Sequence, residues 1–395
     1  MFTKCIKGSG GGMEGRGGKQ RPCSIRDVAE QAGVAPGTVS RILSRPPDDI
    51  RVAAATRRRV VETARKLNYA PNINVRRLFS RRTGIIGLLT PSYHQMGQHI
   101  FDDGHLTRMI SGLEGELTAN DYSILLKVNN DAFMKERGFL RVFRESQVDG
   151  LLVWGAYENE TAWEELVQSG YPYLFLNNLP TANAAANYVT SDYEDAGFQA
   201  ASHLLKQGRD RLVWISGKTD ISLGRQHEAG VRRAVAAHGL DPSHLTLMPA
   251  GDYTKANGVA ATRRLLAAGV RFNGLITANQ CMADGAAQCL LANGLAVPGA
   301  VAVIGCDSLW DDDVYPSVLP RIKINAMRMG EAAARGMLSL IKDPTVRIQE
   351  VVPVELADAP PAPGLVIAPP APGRRARNPN PPPHKEVRQQ PKRPS

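Results

Sequence analysis

SIRDVAEQAGVAPGTVSRIL, residues 24–43, is the stretch on which the reading of this chain turns. Ser24 followed three residues later by Asp27 is a capping-box pattern, and the carboxylate suits the positive end of a helix. Ile25, Val28, Ala29 and Ala32 then share one helical face. Gly33 tolerates the positive φ that ends such a helix, Val34 plugs the turn, and Pro36 sits in the first turn of the next helix, where its missing N–H is no loss. Val39, Ile42 and Leu43 point back to the core and leave Thr38, Ser40 and Arg41 on another face. Small Ala29 permits close approach, so the pattern predicts a helix-turn-helix. A third helix, about 54–67, turns Val60, Ala64 and Leu67 inward and Arg57, Arg58, Arg59 and Arg65 toward solvent or phosphate.

Outward from this module the charge is uneven. The 395 residues carry a formal +10, yet residues 1–22 hold +4, residues 23–83 hold +8 and residues 374–395 hold +6, so the body between 84 and 373 is acidic at −8. A basic module on an acidic body suits a chain that meets a polyanion at one end. The composition, 43% hydrophobic and 22% charged, is that of a soluble globular protein. Five cysteines without a CxxC pair support neither a disulfide framework nor a zinc site, and a reducing, cytosolic setting is expected. The uncharged run 285–306 is broken by Gln288, Asn293, Gly294 and Pro298, so no membrane segment is expected. Residues 1–22 are Gly-rich and basic without an apolar core, so no secretory signal is expected; Met13 is a second candidate start.

Between residues 85 and 354, apolar runs at 85–89, 123–128, 150–153, 173–176, 212–215, 274–276 and 301–304 alternate with helical segments, the pattern of βαβ units. Some 270 residues exceed one such sheet, so two subdomains are expected. Gly10, Gly12 and Gly15 spell GxGxxG without a preceding strand, and Gly217-Lys218-Thr219 lacks the upstream glycine of a phosphate loop. Neither is a nucleotide site, and no cofactor is expected. His94, His99, Asp102, Asp103 and His105 crowd one loop at spacings that match no standard ligand pattern, so no metal is expected either; a loop covering a ligand is the better reading.

Val34-x-x-x-Thr38-Val39-Ser40-Arg41, then Leu67-Asn68-Tyr69-x-Pro71-Asn72, then Arg77-Leu78 resembles the LacI/GalR family of transcriptional regulators, and the resemblance runs from about 24 to 357. It implies a DNA-binding role for Ser24, Ala35, Pro36, Gly37, Thr38, Ser40 and Arg41, with the second helix in the major groove of a double-stranded operator. It also implies a hinge helix over 72–80 that folds on DNA, with Asn72, Val75 and Leu78 at the DNA and Leu78 wedged into the minor groove. Pro36 and Gly37 stand where members of the family select bases, and neither offers a side-chain hydrogen bond. Readout then leans on Arg41, van der Waals contact and DNA shape. Residues 44–52 form a longer loop than usual, and Ala53 replaces a capping Ser.

Further matches (Gly150-Leu151-Leu152, Ser191-Asp192, Ser222-x-x-Arg225-x-x-x-x-Gly230, Gly251-Asp252-Tyr253, Asn279-x-x-Met282-Ala283-x-Gly285, Val297-Pro298, Ile304-Gly305-x-Asp307) imply a periplasmic-binding-protein-like core of two Rossmann-like parallel-sheet lobes joined by three crossovers. A polyol needs bidentate polar groups at its ring edge and an aromatic surface on its apolar face. Arg225, Asn279 and Asp307 supply the first, Trp154 or Tyr253 the second, with Asn177 and Ser191 as further positions. Gln280 and Ser308 replace acidic residues common in the family.

The expected organisation is therefore a disordered basic arm (1–22), a helix-turn-helix domain (23–70), a hinge (71–83), two lobes (84–190 with 323–345, and 191–322 with 346–358) and a disordered Pro-rich basic tail (359–395). The expected function is that of a cytoplasmic, homodimeric repressor of carbohydrate-metabolism genes, binding a palindromic operator under control of a sugar or sugar derivative, with a nucleobase as the other candidate effector. A solute-binding protein that delivers sugar to a transporter is the alternative, opposed by the helix-turn-helix; an enzyme on the same lobes ranks third, with no triad spacing or phosphate loop behind it.

Overall fold

The computed structural model of the chain describes residues 23–44, 52–69, 82–92, 99–156, 161–179, 185–217, 221–308 and 319–357. The expected arm, most of the hinge and the tail, Met13 and the loop residues 45–51 and 93–98 lie outside them. The chain divides into two compact units, one ending at Gly84 and one beginning at Ile85.

The first unit is three helices: α1 (Ile25–Ala32), α2 (Pro36–Ser44) and α3 (Ala54–Lys66). The capping box at α1 is complete. Ser24 donates its hydroxyl and its N–H to Asp27 Oδ2, each at 2.8 Å, and its Oγ accepts from Asp27 N–H. Gly33 closes α1 with φ 63°, and the Val34 N–H reaches back to the Ala29 carbonyl at 3.0 Å. Val28, Ala29, Ala32, Val39, Ile42, Val60 and Ala64 form its core. Ala53 leaves α3 without a side-chain cap. Arg59 is exposed, as expected, and its Nε also donates to the Ala32 carbonyl at 2.8 Å and so satisfies an orphan acceptor at the end of α1.

The second unit holds two six-stranded sheets. In chain order the strands are β1 (Ile85–Pro91), β2 (Ser123–Asn129), β3 (Gly150–Trp154), β4 (Tyr173–Leu176), β5 (Tyr188–Ser191), β6 (Leu212–Ser216), β7 (Leu245–Pro249), β8 (Gly274–Thr277), β9 (Ala302–Ser308), β10 (Arg321–Lys323), β11 (Gln349–Val352) and β12 (Glu355–Ala357). The helices are α4 (Gly104–Ala119), α5 (Asp131–Lys135), α6 (Gly138–Arg144), α7 (Ala162–Gln168), α8 (Tyr193–Lys206), α9 (Ser222–Ala237), α10 (Lys255–Ala267), α11 (Gln280–Ala292) and α12 (Ala326–Lys342). One sheet runs β11-β5-β4-β3-β1-β2 and the other β12-β10-β9-β8-β6-β7. The two lobes are thus the same pattern twice, each with its first strand between its second and third. All ladders are parallel except β10 with β12. Strands β3, β4, β6 and β8 are buried throughout, as parallel strands covered on both faces must be.

The chain crosses between lobes three times: from β5 into α8, whose alanines pack in the second-lobe core; from β10 into α12, whose Met329 and Met337 pack in the first; and from β11 to β12. The last crossing corrects an expected boundary. Residues 349–352 pair with β5 in the first sheet, and only 355–357 join the second, because the apolar β5 would otherwise be an open edge.

Three helix pairs are held at backbone distance by reciprocal glycines. A Cβ on Gly112 (α4) would stand 2.0 Å from the Met327 carbonyl oxygen, and one on Gly330 (α12) 2.1 Å from that of Met109. Gly197 and Gly230 do the same for α8 and α9, and Gly258 and Gly285 for α10 and α11. Only hydrogen fits at such crossings.

Candidate functional sites

In the first unit, Ala35, Pro36, Gly37 and Arg41 are exposed and Thr38 and Ser40 half-buried, so α2 presents one accessible face whose opposite side, Val39 and Ile42, is core. Arg41 bends back to the Gly37 carbonyl, with Nε at 3.3 Å, leaving four of its five N–H donors for another acceptor. The Ser24 hydroxyl is committed to its capping box, so this residue positions the N-terminus of α1. Asn72, Val75 and Leu78 lie outside the described residues.

In the second unit the carboxyl ends of the two sheets face each other, the place where open α/β sheets take ligands. Three polar contacts identify this cleft. His105 Nε2, in the first turn of α4, meets both oxygens of Asp307 near the end of β9, at 2.7 and 2.6 Å. The Leu179 N–H, beyond β4, donates to Ser222 Oγ at the start of α9, at 2.9 Å. The Tyr193 hydroxyl, at the start of α8, donates to Asn177 Oδ1.

Of the expected effector residues, Asp307 and Asn177 make two of these contacts themselves. Trp154 ends β3 and is 5% exposed, with its indole 6.4 Å from the His105 ring. Asn177 takes a positive φ of 70° directly after β4, which places its side chain at Tyr193. Ser191 is buried at the end of β5. Asn279 caps α11: its Oδ1 accepts from the Met282 N–H and its Nδ2 donates to the Tyr253 carbonyl, both at 2.9 Å. One lone pair and one N–H of that amide remain. The Tyr253 ring lies so close to Gly217 that a Cβ there would be 2.3 Å from it. Arg225 is exposed in the first turn of α9, between Ser222 and His227, both of which turn inward.

Three further polar atoms at or just beyond the carboxyl ends of strands, Thr90 Oγ1, Asn178 Oδ1 and Ser308 Oγ, are buried without a protein partner. Such ends retain hydrogen-bonding capacity suited to a polyhydroxyl molecule.

Tyr193 and His227 are the residues that sequence reasoning did not place in the cleft, and His105, expected in a loop covering a ligand, stands in the first turn of α4. Burial pushes the His227 pKa down to about 4, so its ring, stacked edge-on against Tyr193 and near Trp214, is neutral. Burial also drives the Tyr193 hydroxyl well above its ordinary range. No group of three or more His, Cys, Asp and Glu among the described residues could hold a metal ion, and His99 is exposed at the start of the loop's described part. No disulfide joins any two of the described cysteines, and no described helix is long and apolar enough to cross a membrane.

Residues 24–72 match the family described as "Bacterial regulatory proteins, lacI family", and residues 201–358 match the periplasmic binding protein-like domain. Catabolite control protein A of Priestia megaterium is 30% identical over 286 residues, 72% of this chain and 82% of that protein. This chain belongs to the LacI family. The HTH-type transcriptional regulator CelR of Thermobifida fusca is likewise 30% identical, over 73% of this chain and 83% of its own length. Among solved structures, a CelR–cellobiose complex superposes with a TM-score of 0.60 at 26% identity, covering 85% of this chain and 98% of that one. The Lac repressor dimer bound to operator and the anti-inducer ONPF shares the fold with a TM-score of 0.72 at 22% identity, covering 86% and 98%. As a LacI-family member the chain is a DNA-binding transcriptional regulator, with the three-helix unit as its helix-turn-helix domain and the two lobes as its binding-protein-like core.

Proposed function

We propose that this regulator is a cytoplasmic, homodimeric repressor of carbohydrate-metabolism genes whose affinity for a palindromic operator is set by a sugar-like effector in the cleft between its lobes. The observation that carries the effector reading is the convergence on one cleft of Asp307, the half-satisfied amide of Asn279, the Trp154 indole and unpartnered buried polar atoms at strand ends. Arg225 and Asn177 supply further polar contacts, Ser191 lines the floor, and Tyr253, anchored through its backbone by Asn279, offers a second aromatic face. At the DNA, α2 enters the major groove with Ala35, Pro36, Gly37, Thr38, Ser40 and Arg41 at bases or phosphates, and Ser24 orients the start of α1 toward a phosphate. Asn72, Val75 and Leu78 belong to a hinge that orders on operator, with Leu78 unstacking a base step.

A thermal-shift screen against mono- and disaccharides and nucleobases tests the effector, since a ligand that binds only the native state raises apparent stability. Selection of binding sites from random duplexes, repeated with the hit, tests the rest. A palindromic site whose occupancy changes with a sugar is the expected result. A nucleobase hit would overturn the carbohydrate assignment, and sugar binding without any DNA selection would favour the solute-delivery alternative.

A further inference from the structure

His105 belongs to the first lobe through α4, and Asp307 to the second through β9. Their side chains are 17% and 12% exposed, and both carboxylate oxygens are engaged by the one ring nitrogen. The acid best placed to take a pair of ligand hydroxyls is therefore already held, and held from the opposite lobe. We propose that His105 is the clasp that keeps the cleft shut without ligand, and that it withholds Asp307 from a ligand until the imidazole is displaced. The second half of this proposal rests on the cleft being the effector site; the first half does not.

The surroundings of His105 favour its charged form. Burial works against the imidazolium, but the charge and hydrogen bond of Asp307, aided by Asp103 at the N-cap of α4, outweigh it and raise the pKa above 6.5. The other titratable groups facing this corner are His227 on α9, neutral above about pH 4, Tyr193 on α8, protonated through the neutral range, and the thiols of Cys306 on β9 and Cys281 on α11, both raised by burial above their ordinary value; none adds charge at neutral pH. A His whose pKa is raised by its partner contributes stability that is complete below pH 6.5 and is lost as pH rises through the raised value. The clasp is thus strongest under mild acid and loosens in mild base.

The Leu179 amide reports closure, because its acceptor, Ser222 Oγ, lies on the other lobe. Hydrogen exchange of the full chain, with no ligand added, reads it directly. His105→Ala and Asp307→Asn should each lower the protection of Leu179 by about tenfold, the effect of losing one charge-assisted hydrogen bond. The double variant should lower it no further than either single one. In the parent, protection should fall as pH rises above 6.5, and in His105→Ala it should stay level. Wild-type protection in both single variants overturns the clasp, as does an equal pH response in parent and His105→Ala. NMR titration tests the hold on Asp307 independently: the His105 ring should titrate above 6.5 in the parent and move down in Asp307→Asn, and an unmoved titration refutes it. Failure of the effector reading would appear instead in the ligand screen and leaves these results standing.

Discussion

Two glycines three residues apart in α4 should respond to the same substitution with opposite signs. Gly115 is exposed, and a Cβ added there meets nothing within 4 Å. Gly115→Ala therefore shows only the helix-propensity difference and should stabilise the second unit by roughly 0.5–1 kcal/mol. Gly112 has the same propensity to gain, but its Cβ would stand 2.0 Å from the Met327 carbonyl oxygen, where real Cβ contacts essentially never fall below 3.0 Å. The obstacle is backbone, which cannot rotate aside, so α4 and α12 must part by about 1 Å along a seam that Gly330 also closes. Overpacking of this kind costs about 1–3 kcal/mol, and opening the seam around Met109, Leu113 and Met329 pushes toward the upper end. The net expectation for Gly112→Ala is a loss of about 2 kcal/mol, or a melting temperature lower by roughly 5 °C for a unit of this size. Urea titration of both variants, followed by tryptophan fluorescence, measures the difference. If Gly112→Ala were as stable as Gly115→Ala, the close-approach reasoning would fail for all three glycine pairs.

Ser24→Ala removes the capping box of α1 and should destabilise the helix-turn-helix unit by about 1 kcal/mol, read by thermal melting of that unit's circular dichroism signal. Arg41→Ala should narrow the gap between selected and random DNA by roughly 1–3 kcal/mol in fluorescence anisotropy, whereas loss of a phosphate contact would weaken both alike and reduce the salt slope by about 0.9. Arg225→Ala should abolish the effector's influence on DNA binding while ligand-free DNA affinity persists; unchanged ligand affinity would misplace the pocket. His227 is neutral in the fold, so the unfolded chain takes up its proton first as pH falls: its contribution is complete above pH 6.5 and is lost down to about pH 4. A parent-minus-His227→Leu stability curve should slope across that interval and be flat above it.

The helix-turn-helix was legible because its signals are local: cap, glycine turn and apolar spacing lie within twenty residues. Seven strands were legible for the same reason, as local apolar runs, although β2, at a sheet edge, has no fully buried residue. The strands at 188–191, 245–249, 321–323, 349–352 and 355–357 were not. They are short, and most lie toward the sheet edges, where β7 and β11 keep polar or exposed positions and so lose the apolar signature. The contact of Arg59 with the Ala32 carbonyl was not legible, because an acceptor twenty-seven residues away leaves no local trace. His105 was visible only as one member of a His/Asp-rich loop. Its partner lies 202 residues on, and no spacing rule joins an α4 turn to the end of β9.

The three crossings between the lobes are all short: Ser191 to Tyr193, Lys323 to Ala326, and Val352 to Glu355. Three short straps remove most of the freedom that one linker would allow, so they restrain how far one lobe can turn on the other. The third strap has a further effect, since residues 349–357 give an edge strand to each sheet. A chain cut before Gln349 would lose a strap and lay bare one border of both lobes at once, which makes this segment a shared seam for two otherwise separate sheets.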